Sequence, residues 1–269
     1  MEAVLSESPY EISSGLCSVT LRQLPRGEVL NAASRAGLGC IEWGGDIHVP
    51  PGDPAEAARA AAESRAGNVR VASYGSYFRA GPHDAEQFAP VLAAAVALGA
   101  PRIRIWAGDT ASAQVSAEQR DAVVAASRAA ATRAADAGVR LAFEFHGGTL
   151  TDTAESTVRL LEEVDHPAVS TYWQPPVGLD DDDALAGLRK VLPWVSTVHV
   201  FSWWPTTERL PLRHRAELWR RVFGLLRRGG RSYDALLEFV AGDSPERLAD
   251  DARTLARLID DARHDRPEH

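Results

Sequence analysis

The chain is short of cysteine, of positive charge and of long apolar runs. It has 269 residues and only two cysteines, Cys17 and Cys40, with no C-x-x-C spacing. That excludes a disulfide framework and points to a reducing, cytoplasmic setting. Both cysteines read as small buried hydrophobes. Lysine and arginine total 29 against 37 aspartates and glutamates, a formal net charge of -8. An acidic chain is not built around a nucleic-acid backbone. No stretch reaches the ~20 apolar residues of a membrane span. The opening MEAVLSESPYEISS has neither the basic region nor the apolar run of a signal peptide. No Gly-x-Gly-x-x-Gly turn follows the first strand, which weakens an open dinucleotide-binding sheet. No Gly-rich phosphate cradle stands out either, which favours an unphosphorylated ligand.

What is present is alternation. Short β-branched or aromatic runs alternate with Ala-rich helical runs, the pattern of parallel strands with crossover helices. Strands are expected near 16–21, 39–43, 69–74, 102–106, 139–145, 168–173, 195–201 and 234–239. Helices are expected near 26–36, 53–66, 84–98, 117–137, 152–164, 181–191, 214–228 and 244–261. Gly37, Gly99 and Gly138 each close a helix just before a strand, where a left-handed cap is needed. Asp53-Pro54 and Ser244-Pro245 open helices with a cap and a proline in the first turn. The run Asp180–Asp183 reads as a helix cap that complements the helix dipole. Eight such units and no linker predict one domain over 1–269, a single (β/α)8 TIM barrel. Its core spans about 15–262 between polar tails, a size usual for this fold, about 250 residues.

In a parallel barrel the reactive side chains come from the C-terminal ends of several strands. Those ends carry Glu42, Trp43, Asp46 and His48; Tyr74 and Tyr77; Arg104 and Trp106; Glu144 and His146; Trp173 and Gln174; His199, Trp203 and Trp204; and Glu238. Glu144, Gln174, His199 and Glu238 fall on four consecutive strands, each inside an apolar run where an unpaired charge is expensive. Two carboxylates, an amide oxygen and an imidazole suit a divalent cation. A buried polar network, or ion pairs with Arg104 and Arg140, is the alternative. Aromatic faces at Trp43, Trp106, Trp173 and Trp203, with Tyr74, suit the apolar face of a sugar. His48, Arg104 and Arg209 are further candidates for substrate binding, and Arg22 is similar to Arg209.

This order of strand-end residues resembles the xylose isomerase-like family, sugar isomerases and epimerases with dehydratase and endonuclease branches. The resemblance covers nearly the whole chain and includes Glu144-Phe145-His146, a Glu-x-His on the fifth strand. It implies metal ligation by Glu144, Gln174, His199 and Glu238, with Glu144 and Glu238 as acid/base pair and His146 assisting. The ion would be manganese, magnesium, cobalt or zinc. The implied activity is isomerisation or epimerisation of a sugar or polyol through an enediolate, with dehydration or β-elimination at the same site as the alternative. The expected partner is a small molecule, with no nucleic acid and no membrane, and with homo-oligomerisation open. One departure stands out: Gln174 lies where the family usually has Asp.

Overall fold

The computed structural model describes residues 11–83 and 85–264. The first ten residues, Asp84 and the last five, which include most of the two predicted tails, lie outside the described residues. Eight strands close into a barrel in sequence order: β1 (Ile12–Cys17), β2 (Cys40–Gly44), β3 (Arg70–Arg79), β4 (Arg102–Trp106), β5 (Arg140–Phe143), β6 (Val169–Trp173), β7 (Val195–Val200) and β8 (Tyr233–Leu237). All neighbours pair in parallel, and β8 returns to β1 through Ile12–Leu16 against Tyr233–Leu237. The helices between them are α1 (Arg26–Arg35), α2 (Pro54–Ala66), α3 (Ala85–Leu98), α4 (Ala117–Asp136), α5 (Ala154–Val164), α6 (Asp181–Val191), α7 (Ala216–Arg228) and α8 (Pro245–His264). This is the single (β/α)8 barrel that the alternation implied.

Local chemistry accounts for most boundaries. Asp53 caps α2 by accepting the Glu56 N–H at 2.9 Å, and Asp180 caps α6 by accepting that of Asp183 at 2.9 Å. Ser116 and Gln119 form a reciprocal capping box on α4. Gly37, Gly99 and Gly138 take φ of +76°, +69° and +74°, the left-handed region a side chain resists. Several boundaries differ from expectation, β3 running on to Arg79 and β5 stopping at Phe143 among them. β1 covers 12–17, and residues 18–21 form a 3-10 turn. The stretch Leu16-Cys17-Ser18-Val19-Thr20-Leu21 mixes apolar and small polar residues in the same way on both sides of the change, so the pattern could not mark it. Pairing with β2 ends at Cys17–Glu42, after which Ser18 Oγ accepts the Gly44 N–H at 2.8 Å. At the other end, α8 runs to His264, past the expected end near 261.

Closure gives each strand two unlike faces. The outer face packs on the helices and forms the main apolar core, with Ile41, Trp43, Ile103, Ile105, Leu141, Val198 and Val200 fully buried. The inner face is polar at both ends. Toward the N-terminal end, Asp234 lies between Arg70 and Arg102. Toward the C-terminal end lies the cluster described next.

Candidate metal and substrate site

Side chains that alternate along a strand point to opposite faces. Glu42, Ser73, Arg104, Tyr172 and His199 point to the axis. The proof is contact across the barrel: the Tyr172 hydroxyl, on β6, donates to Glu42 Oε2, on β2, at 2.7 Å. Ser73 Oγ donates to the same oxygen at 2.8 Å, and Arg104 Nε donates to Glu42 Oε1 at 2.9 Å. An irregularity in the β2–β3 register, pairing Ile41 with Val71 but Glu42 with Ser73, brings Ser73 beside Glu42. Gly75 makes room: a Cβ there would lie 2.7 Å from Glu42 Oε1 and 3.0 Å from Arg104 Nη2.

Of the four residues expected to gather, Gln174, Glu238 and Glu144 each bring an oxygen toward His199. His199 is fully buried, and its Nδ1 lies 2.9 Å from Gln174 Oε1, 3.4 Å from Glu238 Oε2 and 3.9 Å from Glu144 Oε1. Glu144 follows β5, its N–H bonded to Ile105 at 2.9 Å, and Glu238 follows β8, its N–H bonded to Val200 at 3.0 Å. One nitrogen facing three oxygens can satisfy one of them by hydrogen bonding. The tightest ligand group among the described residues is Cys17, His199 and Glu238, whose ligand atoms all lie within 4.8 Å of one another, with Gln174 Oε1 beside His199 and Glu144 Oε1 farther out at 3.9 Å. Glu144 divides its oxygens. Oε2 accepts Arg104 Nη1 and Trp106 Nε1, while Oε1 faces His199. The expected Arg104 ion pair is therefore present beside the convergence, while Arg140 donates to the Pro167 carbonyl at 3.3 Å and pairs with no carboxylate among the described residues.

Burial sets the charge states of the surrounding groups. It pushes the Glu42 carboxyl up, but Arg104, His199 and the Tyr172 and Ser73 hydroxyls outweigh it and hold Glu42 below the usual range. Burial depresses the Arg104 guanidinium, yet Glu42 and Glu238 raise it overall. Burial and the Glu42 charge hold the Tyr172 phenol far above its ordinary value. The Cys17 thiol, which lies within metal-ligand reach of His199 and Glu238, is likewise pushed up by burial and those carboxylates.

A cavity of about 370 Å³ opens above this cluster. Glu144, Gln174 and Glu238 line it together with His146, Trp203 and Phe239. His146 is partly exposed and stacks on Trp106, ring centroids 5.1 Å apart. Its Nδ1 meets the Gly147 carbonyl at 2.6 Å, and its Nε2 has no hydrogen-bond partner among the described residues. Arg79 lies 3.9 Å over the Trp106 ring. Arg209 pairs with Asp243 and stacks on Phe239 at 4.4 Å, so it braces the cavity wall. Arg22 is an exposed partner of Asp46 at 3.1 Å.

Four expected substrate contacts lie elsewhere. Trp43 is fully buried on the outer face and donates to Ser64 of α2 at 3.0 Å. Tyr74 is also buried outside the barrel, its hydroxyl bonded to Val49 at 2.8 Å. Trp173 packs edge-on to Trp219 of α7 at 6.1 Å. Each is the strand neighbour of an inward residue, so alternation forbids it the axis. His48 is tied at 2.9 Å to Ser18 Oγ and at 3.0 Å to the Leu24 carbonyl, a clamp between two loops. Sequence reasoning named Glu42 as a strand end but gave it no part in the site, and passed over Tyr172. The signal that could have found them is parity: Glu42 and Tyr172 share the axial face with the residues chosen.

The xylose isomerase-like TIM barrel family model matches residues 30–259. A 3-dehydroshikimate dehydratase of Bacillus anthracis is 35% identical over 104 residues, 36% of this chain. The match spans 35% of that relative, about a third of its length. Among solved structures, the probable 3-DHS dehydratase AsbF of Bacillus anthracis aligns with a TM-score of 0.73 at 18% identity, over 91% of this chain and 98% of that one. A xylose isomerase-like TIM barrel protein from Mycobacterium smegmatis in complex with magnesium gives 0.71 at 16%, over 94% and 98%. D-allulose 3-epimerase from Methylomonas sp. gives 0.69 at 16%, over 94% and 99%. At these identities the solved structures establish a shared fold.

Proposed function

The chain belongs to the xylose isomerase-like TIM barrel family, and we propose on that footing that it is a divalent-metal-dependent enzyme acting on a sugar or polyol-derived carbonyl compound. The observation that carries this reading is the convergence of Gln174 Oε1, Glu238 Oε2 and Glu144 Oε1 on His199 Nδ1 beneath the cavity. An ion held by these four residues would supply Lewis acidity toward a carbonyl and its neighbouring hydroxyl. The magnesium complex of the Mycobacterium smegmatis protein supports a hard divalent ion, and manganese, magnesium, cobalt and zinc are the candidates.

The chain's own residues do the rest. Glu144 is clamped by Arg104 and Trp106, so it is a fixed anionic donor with one free oxygen. Glu238, on the eighth strand end, and His146, on the fifth, border the cavity from different sides. They are the groups that take a proton from the carbon next to the carbonyl and return one. Trp203, Phe201 and Phe239 offer apolar surface to a ring and keep water from the exchanging proton. Isomerisation or epimerisation follows when the proton returns to carbon.

A second reading is dehydration. It needs one base and one acid, which Glu238 and His146 on the cavity wall supply. In that outcome the base takes the α-proton, the β-hydroxyl accepts a proton, and water leaves. The partial match to a 3-dehydroshikimate dehydratase points the same way. The test is to incubate Mn²⁺-loaded protein in D₂O with a ketose panel and with 3-dehydroshikimate. Deuterium at carbon without loss of water identifies the isomerase, and a new ultraviolet-absorbing product identifies the dehydratase. Neither exchange nor elimination with any hydroxy-carbonyl compound defeats the proposal.

A further inference from the structure

We propose that Glu42, which would not itself touch the ion, sets the affinity of the His199 site for divalent cations by supplying the negative charge that a neutral Gln174 withholds. The inference rests on the metal reading of that site. Its first ground is a charge count. Among the described residues, the contacting buried cluster holds three carboxylates, Glu42, Glu144 and Glu238, and one guanidinium, Arg104. All four are 2–8% exposed, so water screens the imbalance little, and only from the cavity that Glu144 and Glu238 line. With neutral imidazole the sum is two negative charges, which one divalent cation brings to zero. Take Glu42 away and the same ion leaves the cluster with an excess positive charge in a low-dielectric interior, where that is costly.

The second ground is how firmly Glu42 is held. Ser73 and Tyr172 donate to one of its oxygens and Arg104 donates to the other. A carboxylate with donors on both oxygens is fixed in place as an anion. No such set of donors is needed by an inert spacer.

The third ground is its position behind the histidine. Glu42 Oε1 lies 3.8 Å from His199 Nε2, a buried nitrogen with no hydrogen-bond partner. Nδ1, on the other side of the ring, faces Gln174, Glu238 and Glu144. Without an ion the 2.9 Å contact to the Gln174 carbonyl oxygen needs the imidazole proton on Nδ1; an ion taking Nδ1 would move that proton to Nε2, where the Glu42 carboxylate stands to favour it. Glu42 also shares Arg104 with Glu144. Without Glu42, the whole Arg104 charge would fall on Glu144 and weaken it as a donor.

Position 174 offers the reciprocal experiment. Gln174 Oε1 is the nearest of the three oxygens to His199 Nδ1 and carries no formal charge. A carboxylate there should replace the one lost at 42. The measurement is calorimetric titration of Mn²⁺ into the apo full chain, for wild type, Glu42→Gln, Gln174→Asp and the double variant. Glu42→Gln should weaken Mn²⁺ by ~10- to 100-fold, the span usual for outer-shell partners of metal ligands. Gln174→Asp should tighten it, and the double variant should return to within roughly threefold of wild type, the compensation expected of coupled sites. A further pair guards against misfolding: Glu42→Gln with Arg104→Gln removes one charge of each sign and keeps the sum at minus two. Its affinity should exceed that of Glu42→Gln alone.

Unchanged affinity in Glu42→Gln overturns the proposal while leaving the metal site standing. So does weakened binding that neither Gln174→Asp nor Arg104→Gln restores, because Glu42 would then act by shape alone. A wild-type chain that binds neither Mn²⁺ nor Mg²⁺ overturns both this inference and the functional reading beneath it.

Discussion

The two ends of the barrel interior hold buried charge in opposite balance. At the N-terminal end one carboxylate, Asp234, meets two guanidiniums: Arg102 at 3.0 Å and Arg70, whose side chain is half exposed. At the C-terminal end two carboxylates, Glu42 and Glu144, meet one guanidinium, and a third, Glu238, meets only His199. The first cluster is closed by protein charges, and its surplus reaches water along Arg70. The second has no second Arg or Lys paired with it among the described residues, and it meets water only through the cavity above it. The same elements, Arg on β3 or β4 and acids around the ring, thus make a structural strut at one end and an unfinished charge balance at the other. The difference marks where an ion would be stabilising and where it would be repelled.

That contrast can be broken most sharply at Glu238. Replacing it with Ala should cost more than about 100-fold in Mn²⁺ affinity, beyond the range of an outer-shell partner, while hardly changing stability in chelator. Calorimetry and urea unfolding of the same sample read both. Equal Mn²⁺ affinity in wild type and Glu238→Ala would remove Glu238 from the site.

Asp234→Asn asks the opposite question at the other end. It leaves Arg102 and Arg70 without their carboxylate and should lower stability by about 2–4 kcal/mol, less than a fully buried pair because Arg70 reaches solvent. Mn²⁺ affinity should stay within experimental scatter. A large loss of metal binding would mean that the two clusters are coupled and that the comparison is false.

The smallest effect concerns His48, which belongs to neither cluster. Burial holds its pKa below 6.5, outweighing the Leu24 carbonyl and Asp46 that favour the cation. Below pH 6.5 the unfolded chain takes up this proton before the folded one does. Stability is therefore fully present above 6.5 and is lost as pH falls from 6.5 through the folded value, by at most ~1.4 kcal/mol per pH unit for one group. His48→Asn should flatten that slope between pH 6.5 and 5 without altering metal affinity. An unchanged slope would assign it to other groups.

The charge comparison also separates what could be read early from what could not. Glu144, Gln174, His199 and Glu238 were legible because strand ends are locally marked and topology sends them all to one rim. Trp43, Tyr74 and Trp173 were misread because lying near a strand end is not the same as facing the axis. Trp173 and Gln174 are adjacent, and the two faces of a strand cannot both be the inner one. His48 was misread because a loop histidine's partners, Ser18 and Leu24, are chosen by how two loops meet. The register irregularity between Ile41 and Glu42 that brings Ser73 to Glu42 has no local mark at all.

Periodicity, caps and turn glycines are properties of a few neighbouring residues, so the amino-acid sequence alone determined eight strand–helix units and the rim on which chemistry would sit. Which acid pairs with Arg104, how Tyr172 reaches Glu42 from 130 positions away, and why Glu144 has one free oxygen were decided only when the barrel closed. Closure puts opposite strands within hydrogen-bonding distance and removes water, and in that dry space each buried charge must find its partner across the axis rather than along the chain.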